Sequence, residues 1–214
     1  MTAKRILCYG DSNTYGHDPA RGGARLPREQ RWPGALAGLL GEGYEILEEG
    51  LCGRTTVLED PTAPGLNGLS YLGPCLLSHR PLDLVILMLG TNDLQVVHSA
   101  IPLTVARGAE ALIRCVRDTL RPPEPQPEIL LVSPLLVRNI SVDPVFGPLF
   151  GYERAQRYSA QLAPLYEEAA ARWGCRFFDA AQAAEPSPLD GLHMDASGHR
   201  RLAGALAEQV RAIL

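Results

Sequence analysis

Two short blocks, far apart in the chain, carry the residue types of nucleophilic catalysis. Gly10-Asp11-Ser12-Asn13-Thr14 follows the apolar run Ile6-Leu7-Cys8-Tyr9. Asp190-Gly191-Leu192-His193 sets a carboxylate and an imidazole three residues apart. A serine hydroxyl is a poor nucleophile alone. It needs a base to take its proton, and an acid usually orients that base. Ser12 is therefore the candidate nucleophile, His193 the candidate base and Asp190 its orienting group. Taken singly, each block has a plainer reading. A serine in a strand-to-loop turn is more often a cap or turn residue, and a histidine beside a helix start is often a capping or surface group. Asp11 reads as a residue that holds its turn by hydrogen bonding, and Asp195 as the cap of the last helix.

Acyl transfer also needs donors for the oxyanion of its tetrahedral intermediate. Gly53, in Cys52-Gly53-Arg54, has no side chain, so its backbone N–H can be approached closely. Asn92, in Gly90-Thr91-Asn92-Asp93, offers a side-chain amide. With the N–H of Ser12 these would make a three-donor hole. A simple turn for Gly53 and an Asx-turn for Asn92 are the alternatives. Tyr15, Leu192 and Met194 flank the candidate residues and read either as acyl-pocket lining or as packing. Arg54 reads as a substrate contact or, more simply, as a structural ion-pair partner. His17, His79, His98 and His199 show no metal-ligand spacing with one another or with the cysteines. They read as surface or structural histidines, and no metal or cofactor is expected.

The elements that must position these groups are legible as hydrophobic patterns. Five apolar runs, 4–9, 44–49, 83–89, 128–133 and 175–179, read as strands. Leu84-Val85-Ile86-Leu87-Met88-Leu89 does not alternate, which suggests strands covered on both faces, as in a parallel sheet. Helical spacing marks 103–120 and 196–213. The segment 152–173 reads as helical with a kink or break at Pro164, and 28–41 as the first helix, with Pro33 in its first turns. Strand–helix alternation implies right-handed crossovers and a doubly wound layer structure. Ligands bind such sheets beyond the carboxyl ends of the strands, and this rule lets all four blocks face one cleft. Two irregular stretches, 15–27 and 134–151, are candidates to shape a pocket or an oligomer contact. The Pro-rich 122–127 reads as a surface connection.

Composition narrows the function classes. The 214 residues suit one α/β domain spanning 1–214, and 46% hydrophobic residues provide for a substantial core. A net charge of −4 and the absence of a Lys/Arg-rich run give no reason to expect a nucleic-acid partner. Lys4-Arg5 precedes only a short apolar stretch and no small-residue cleavage site, so no secretory leader is read there. The longest apolar run, Leu84 to Leu89, is too short to span a bilayer. The five scattered cysteines, Cys8, Cys52, Cys75, Cys115 and Cys175, read as reduced and mostly buried thiols of a cytoplasmic protein, Cys8 and Cys175 within strands.

In combination the four blocks resemble the SGNH hydrolase (GDSL-like) superfamily across nearly the whole chain. Gly10-Asp11-Ser12 matches the nucleophile block, Gly53 the glycine block, Gly90-Thr91-Asn92-Asp93 the asparagine block, and Asp190-x-x-His193 the last. Asn13 stands where the eponymous motif has leucine. Longer strings, among them Glu48-Glu49-Gly50-Leu51-Cys52-Gly53-Arg54-Thr55-Thr56, Asp60-Pro61, Leu66-Asn67-Gly68 and Leu82-Asp83-Leu84-Val85-Ile86, are similar to the bacterial arylesterase/acyltransferase (perhydrolase-like) branch. The resemblance implies a three-layer α/β/α flavodoxin-like sandwich and a metal-free Ser-His-Asp mechanism. It also implies small acyl groups and frequent homo-oligomers; the aromatic, Pro-containing composition of 134–151 makes that segment the candidate interface. The expected function is a serine carboxylesterase acting on small-molecule esters, with water, alcohol or peroxide as acceptor. A carbohydrate acetyl-esterase, a lysophospholipase or thioesterase, and an inactive flavodoxin-like binding module are the alternatives. Position 13 is not acidic, which argues against an aspartate-nucleophile phosphatase. Neither a P-loop nor a G-x-G-x-x-G turn is present.

Overall fold

The computed structural model describes residues 3–121, 123, 125–140 and 143–214. Positions 122 and 124 of the Pro-rich connection and 141 and 142 of the segment 134–151 lie outside the described residues. Five parallel strands form one sheet: β1 (Lys4–Gly10), β2 (Tyr44–Gly50), β3 (Leu84–Met88), β4 (Glu128–Ser133) and β5 (Arg176–Asp179), in the order β2-β1-β3-β4-β5. This is the flavodoxin-like order, with its switch point between β1 and β3. The five expected strands are all present with ends shifted by one residue at most. Cys175 falls just outside β5 and is half-buried rather than a core strand residue.

Strand pleating sorts the core into two layers. Leu7, Tyr9, Val85, Leu87, Ile129 and Leu131 face α3 (Gly68–His79), α4 (Pro102–Thr119) and α7 (Leu162–Trp173). Ile6, Cys8, Ile86, Met88, Leu130 and Val132 face α2 (Trp32–Leu40) and α8 (Ala196–Ile213). Both faces are therefore covered, which is why the strand sequences do not alternate. Three short helices, α1 (Ser12–Tyr15), α5 (Phe146–Phe150) and α6 (Glu153–Ser159), lie near the strand ends.

Some helix expectations change. The stretch 28–41 is a 3₁₀ turn over Arg28–Gln30 followed by α2, because Arg31 is extended and turns its guanidinium onto Glu48 and the Leu26 carbonyl. The break expected within 152–173 falls at residues 160–161, between α6 and α7. Pro164 sits in the first turn of α7. Its ring would clash with the carbonyl of Ala160 if the helix ran straight through. Helix α3 was not expected; Gly73 and Pro74 obscure its period. Residues 146–150 are helical within the stretch read as irregular.

The register levels the strand ends that matter. Gly10 pairs with Gly50 on one side and with Met88 on the other. The loops after β1, β2 and β3 thus leave the sheet at one height. The loop before α8 is brought to the same place by Asn13. Its side-chain Nδ2 donates to the Leu192 carbonyl at 3.1 Å, and its Oδ1 accepts from the Met194 N–H at 3.0 Å. Both peptide groups flanking His193 are held by this one buried amide. Leucine at this position would leave two buried backbone groups unpaired, each worth about 1–3 kcal/mol. Asn13→Leu is expected to lose about 3 kcal/mol of stability in total. Its thermal midpoint should fall by roughly 8 °C. An unchanged midpoint in a calorimetric scan would show that the clamp contributes nothing.

Candidate active site

Ser12 is the first residue of α1, immediately beyond β1. Asp11 caps this turn, its carboxylate accepting from the Asn13 N–H at 2.9 Å. This is the turn-holding role expected of it. Burial pushes the Asp11 carboxyl up to about 6, against the opposing pull of that bond and of His193. His193 and Asp190 come from the loop before α8, whose own cap is Asp195, accepting from the Gly198 N–H at 2.7 Å.

The three groups form one chain of contacts. Ser12 Oγ lies 2.9 Å from His193 Nε2, and His193 Nδ1 lies 2.7 Å from Asp190 Oδ2. The other Asp190 oxygen accepts from the N–H groups of Leu192 (2.9 Å) and His193 (3.0 Å). Burial alone would raise the Asp190 carboxyl. The His193 ring and these backbone donors outweigh it and hold the group below the usual carboxylate range. All three residues are buried, Ser12 at 7%, His193 at 5% and Asp190 at 4% exposure.

Gly53 and Asn92 reach the same place from β2 and β3. Gly53 has φ +83°, a left-handed conformation that favours glycine, and a Cβ there would meet Leu66 at 2.9 Å. Asn92 Nδ2 donates to the Arg54 carbonyl at 3.0 Å, and its Oδ1 accepts from Gln95 Nε2 at 3.2 Å. A primary amide has two N–H bonds, so this arrangement leaves one for a ligand. The N–H of Ser12, at a helix start, has no intrahelical carbonyl to serve. The two loops are locked together by Asp93, which the sequence reading left without a role. Its carboxylate accepts from the Thr56 N–H at 2.9 Å and from the Thr56 hydroxyl. Burial pushes Asp93 up to about 6.

These residues open on a cleft of about 230 Å³. Ser12, His193, Gly53 and Asn92 line it, with Phe146, Leu149, Phe150 and Leu192 as its apolar wall. The other residues read as pocket lining lie elsewhere. Met194 is fully buried in the layer against α8. Tyr15 turns its ring under the Arg25 guanidinium. Arg54 is buried; it donates to the carbonyls of Gly10 and Glu49 and lies 4.3 Å from the centre of the Tyr9 ring. Its role is thus structural, through carbonyls and a ring face rather than an ion pair. Cys52, exposed and lining the cleft, departs from the expectation of a buried thiol.

The histidines also need correction. His199 is structural, as read: its Nδ1 accepts from the Trp32 N–H at 3.2 Å. His17 is not a surface group. Its ring stacks on His193 with centroids 3.8 Å apart, and it lines the cleft. No local sequence signal marks this, because the contact depends on closure of the loop after α1. The fold also gathers donors that the linear spacing did not suggest. Glu49, Cys75 and His79 converge within 4.8 Å of one another, as do His17, Asp190 and His193. In the first group Glu49 and His79 bond each other at 2.8 Å; in the second, both His193 nitrogens already face Ser12 and Asp190.

A buried hydroxyl–imidazole–carboxylate chain can take a hydroxyl proton, and Gly53 and the Asn92 amide line the cleft on which it opens. Comparison with known proteins agrees with this chemistry. Residues 8–201 match the model of the GDSL-like lipase/acylhydrolase family. The structure of an aryl esterase from M. smegmatis is 42% identical, with a TM-score of 0.93 over 99% of this chain and 100% of that one. A carbohydrate acetylesterase from Sinorhizobium meliloti is 40% identical, with a TM-score of 0.94 over 99% of this chain and 100% of that one. An acetylxylan esterase of Xylanibacter ruminicola is 24% identical over 98% of this chain. The chain spans 43% of that relative's length. From the match across most of its length, this chain belongs to the GDSL-like lipase/acylhydrolase family.

Proposed function

We propose that this protein is a serine esterase that cleaves small acetyl-type and aryl esters through an acyl-enzyme. The observation that carries the reading is the Ser12–His193–Asp190 contact chain, at 2.9 and 2.7 Å, opening on a small apolar cleft. Ser12 Oγ attacks the ester carbonyl while His193 Nε2 takes its proton. Asp190 holds the Nδ1–H tautomer and faces the positive charge that develops on the ring. The oxyanion is met by the N–H groups of Ser12 and Gly53 and by Asn92 Nδ2. As the tetrahedral intermediate collapses, His193 returns the proton to the leaving alcohol. Water then attacks the acyl carbonyl as His193 takes its proton, and His193 passes that proton to Ser12 Oγ as the bond to the acyl group breaks and the acid leaves. An alcohol in its place yields a new ester, and peroxide a peracid.

The size of the cleft supports short acyl groups. Phe146, Leu149 and Phe150 give it an apolar wall suited to a small acyl group. The acetylesterase relatives favour acetylated sugars as a second substrate class, and comparing acetylated xylan with an aryl acetate separates the two. No helix among the described residues is long and apolar enough to cross a membrane. Val96, Val97, Ile101 and Leu103 are exposed near the site, and Val145 and Tyr152 are exposed at or beside the 134–151 segment. We read these side chains as part of a homo-oligomer contact, and a light-scattering mass of one 23.2 kDa chain would contradict it. The five free thiols fit a cytoplasmic setting.

Hydrolysis of p-nitrophenyl acetate, butyrate and octanoate in the presence of EDTA tests the reading. Turnover should fall as the chain lengthens. Ser12→Ala should lose at least about 10⁴-fold in kcat while keeping its melting temperature. Retention of most activity by that variant would remove Ser12 from the mechanism. Asn92→Ala should lower kcat by about 100-fold with little change in KM, the usual cost of one oxyanion donor. An Asn92→Ala effect confined to KM would assign the amide to substrate binding instead.

A further inference from the structure

Two hydrogen bonds do not fully fix the candidate base. Ser12 and Asp190 engage Nε2 and Nδ1 of His193, which sets the direction of the line through the two nitrogens. Rotation about that line remains soft, because both bonds survive a modest rocking of the ring. A contact on the face of the ring is what resists it.

That contact is His17. The two rings are 3.8 Å apart at their centroids and 18° from parallel. Phe146 meets both edge-on, at 5.5 Å from His193 and 6.5 Å from His17. Within the loop after α1 the position of His17 is built in. Its N–H donates to the Ser12 carbonyl at 3.0 Å, so the residue is tied to the backbone of the nucleophile itself. His17 also forms a β-bridge with Arg25 across the same loop. Gly23 leaves room for the ring: a Cβ there would come within 2.6 Å of His17 Cε1.

The ring also borders two spaces. His17 and Phe146 line both the catalytic cleft and a neighbouring one of about 240 Å³, which Pro19, Asp143, Leu189 and Asp190 also line.

We propose that His17 is a positioning residue for the reaction: its ring, stacked on His193, holds the plane of the base and so the alignment of the His193–Asp190 hydrogen bond. The proposal rests on the reading of Ser12, His193 and Asp190 as the reaction centre. The charges facing His17 are His193, Asp190 and Asp18. Burial first, and His193 second, push its imidazole down to about 4, so a neutral ring face meets the imidazolium that forms during turnover. An aromatic ring without ionisable nitrogens should therefore serve as well.

The test compares wild type, His17→Ala and His17→Phe on p-nitrophenyl acetate, with Ser12→Ala as blank. The downfield proton resonance of His193 Nδ1 is recorded for each. His17→Ala should lose about 10- to 100-fold in kcat with KM nearly unchanged, the pattern of lost alignment rather than lost binding. Its downfield resonance should broaden as the misaligned His193–Asp190 bond loosens and its proton exchanges faster. His17→Phe should restore kcat to within about threefold of wild type and sharpen the resonance. A folded His17→Ala with wild-type kcat and a sharp resonance would overturn the proposal. So would a folded His17→Phe as impaired as the alanine variant, and this arm decides the matter if His17→Ala does not fold. Wild-type turnover that survives Ser12→Ala would overturn the reading of the site itself, and is distinguishable from either result.

Discussion

The site depends on joining two segments 181 positions apart, and the Asn13 amide makes that join. It bonds the carbonyl before His193 and the N–H after it. Because Asn13 also follows the nucleophile directly, the distance between Ser12 and His193 is set by a single side chain and two rigid peptide groups. Where the eponymous motif has leucine, this chain thus carries a side chain that bonds the loop before α8. The helix cap at Asp11 and the cap at Asp195 fix the two pieces internally; Asn13 fixes them to each other.

Three carboxylates are buried around this join, and their surroundings set them apart. Asp190 is held low because the His193 ring and two backbone N–H groups serve its charged form. Asp11 and Asp93 are pushed up to about 6, because burial outweighs the bonds that each accepts. The carboxylate whose charge is best stabilised is thus the one in contact with the imidazole, where the proposed mechanism places a developing positive charge. The other two hold backbone: Asp11 shapes the nucleophile turn, and Asp93 ties the glycine loop to the asparagine loop.

The strands and the four blocks were legible because their signals are local. A strand buried on both faces announces itself as an unbroken apolar run, as Leu84–Leu89 does, and a chemical block is a fixed string. What escaped was set by tertiary contact. Helix α3 was hidden because Gly73 and Pro74 interrupt its apolar period, although Leu72, Cys75 and Leu76 supply its buried face. Met194 sits beside the base in sequence, yet its side chain turns into the opposite layer. His17 looked like any loop histidine, since only the return of the chain at residue 193 gives its ring something to stack on. Arg54 reads as a charge seeking a carboxylate, whereas its real partners are two carbonyls and a tyrosine face, which leave no mark in sequence.

The order of these pieces along the chain has a consequence for biosynthesis. The proposed nucleophile and both proposed loop donors precede along the chain the proposed base and its carboxylate, which lie just ahead of α8. A growing polypeptide on the ribosome therefore displays a serine with no base beside it. On the proposed roles, the contact chain is completed only after the segment carrying Asp190 and His193 has emerged and α8 has packed against α2 and the sheet. A chain not yet folded through α8 lacks the Ser12–His193–Asp190 contact chain, so on the proposed mechanism acylating power arrives together with the folding of that segment.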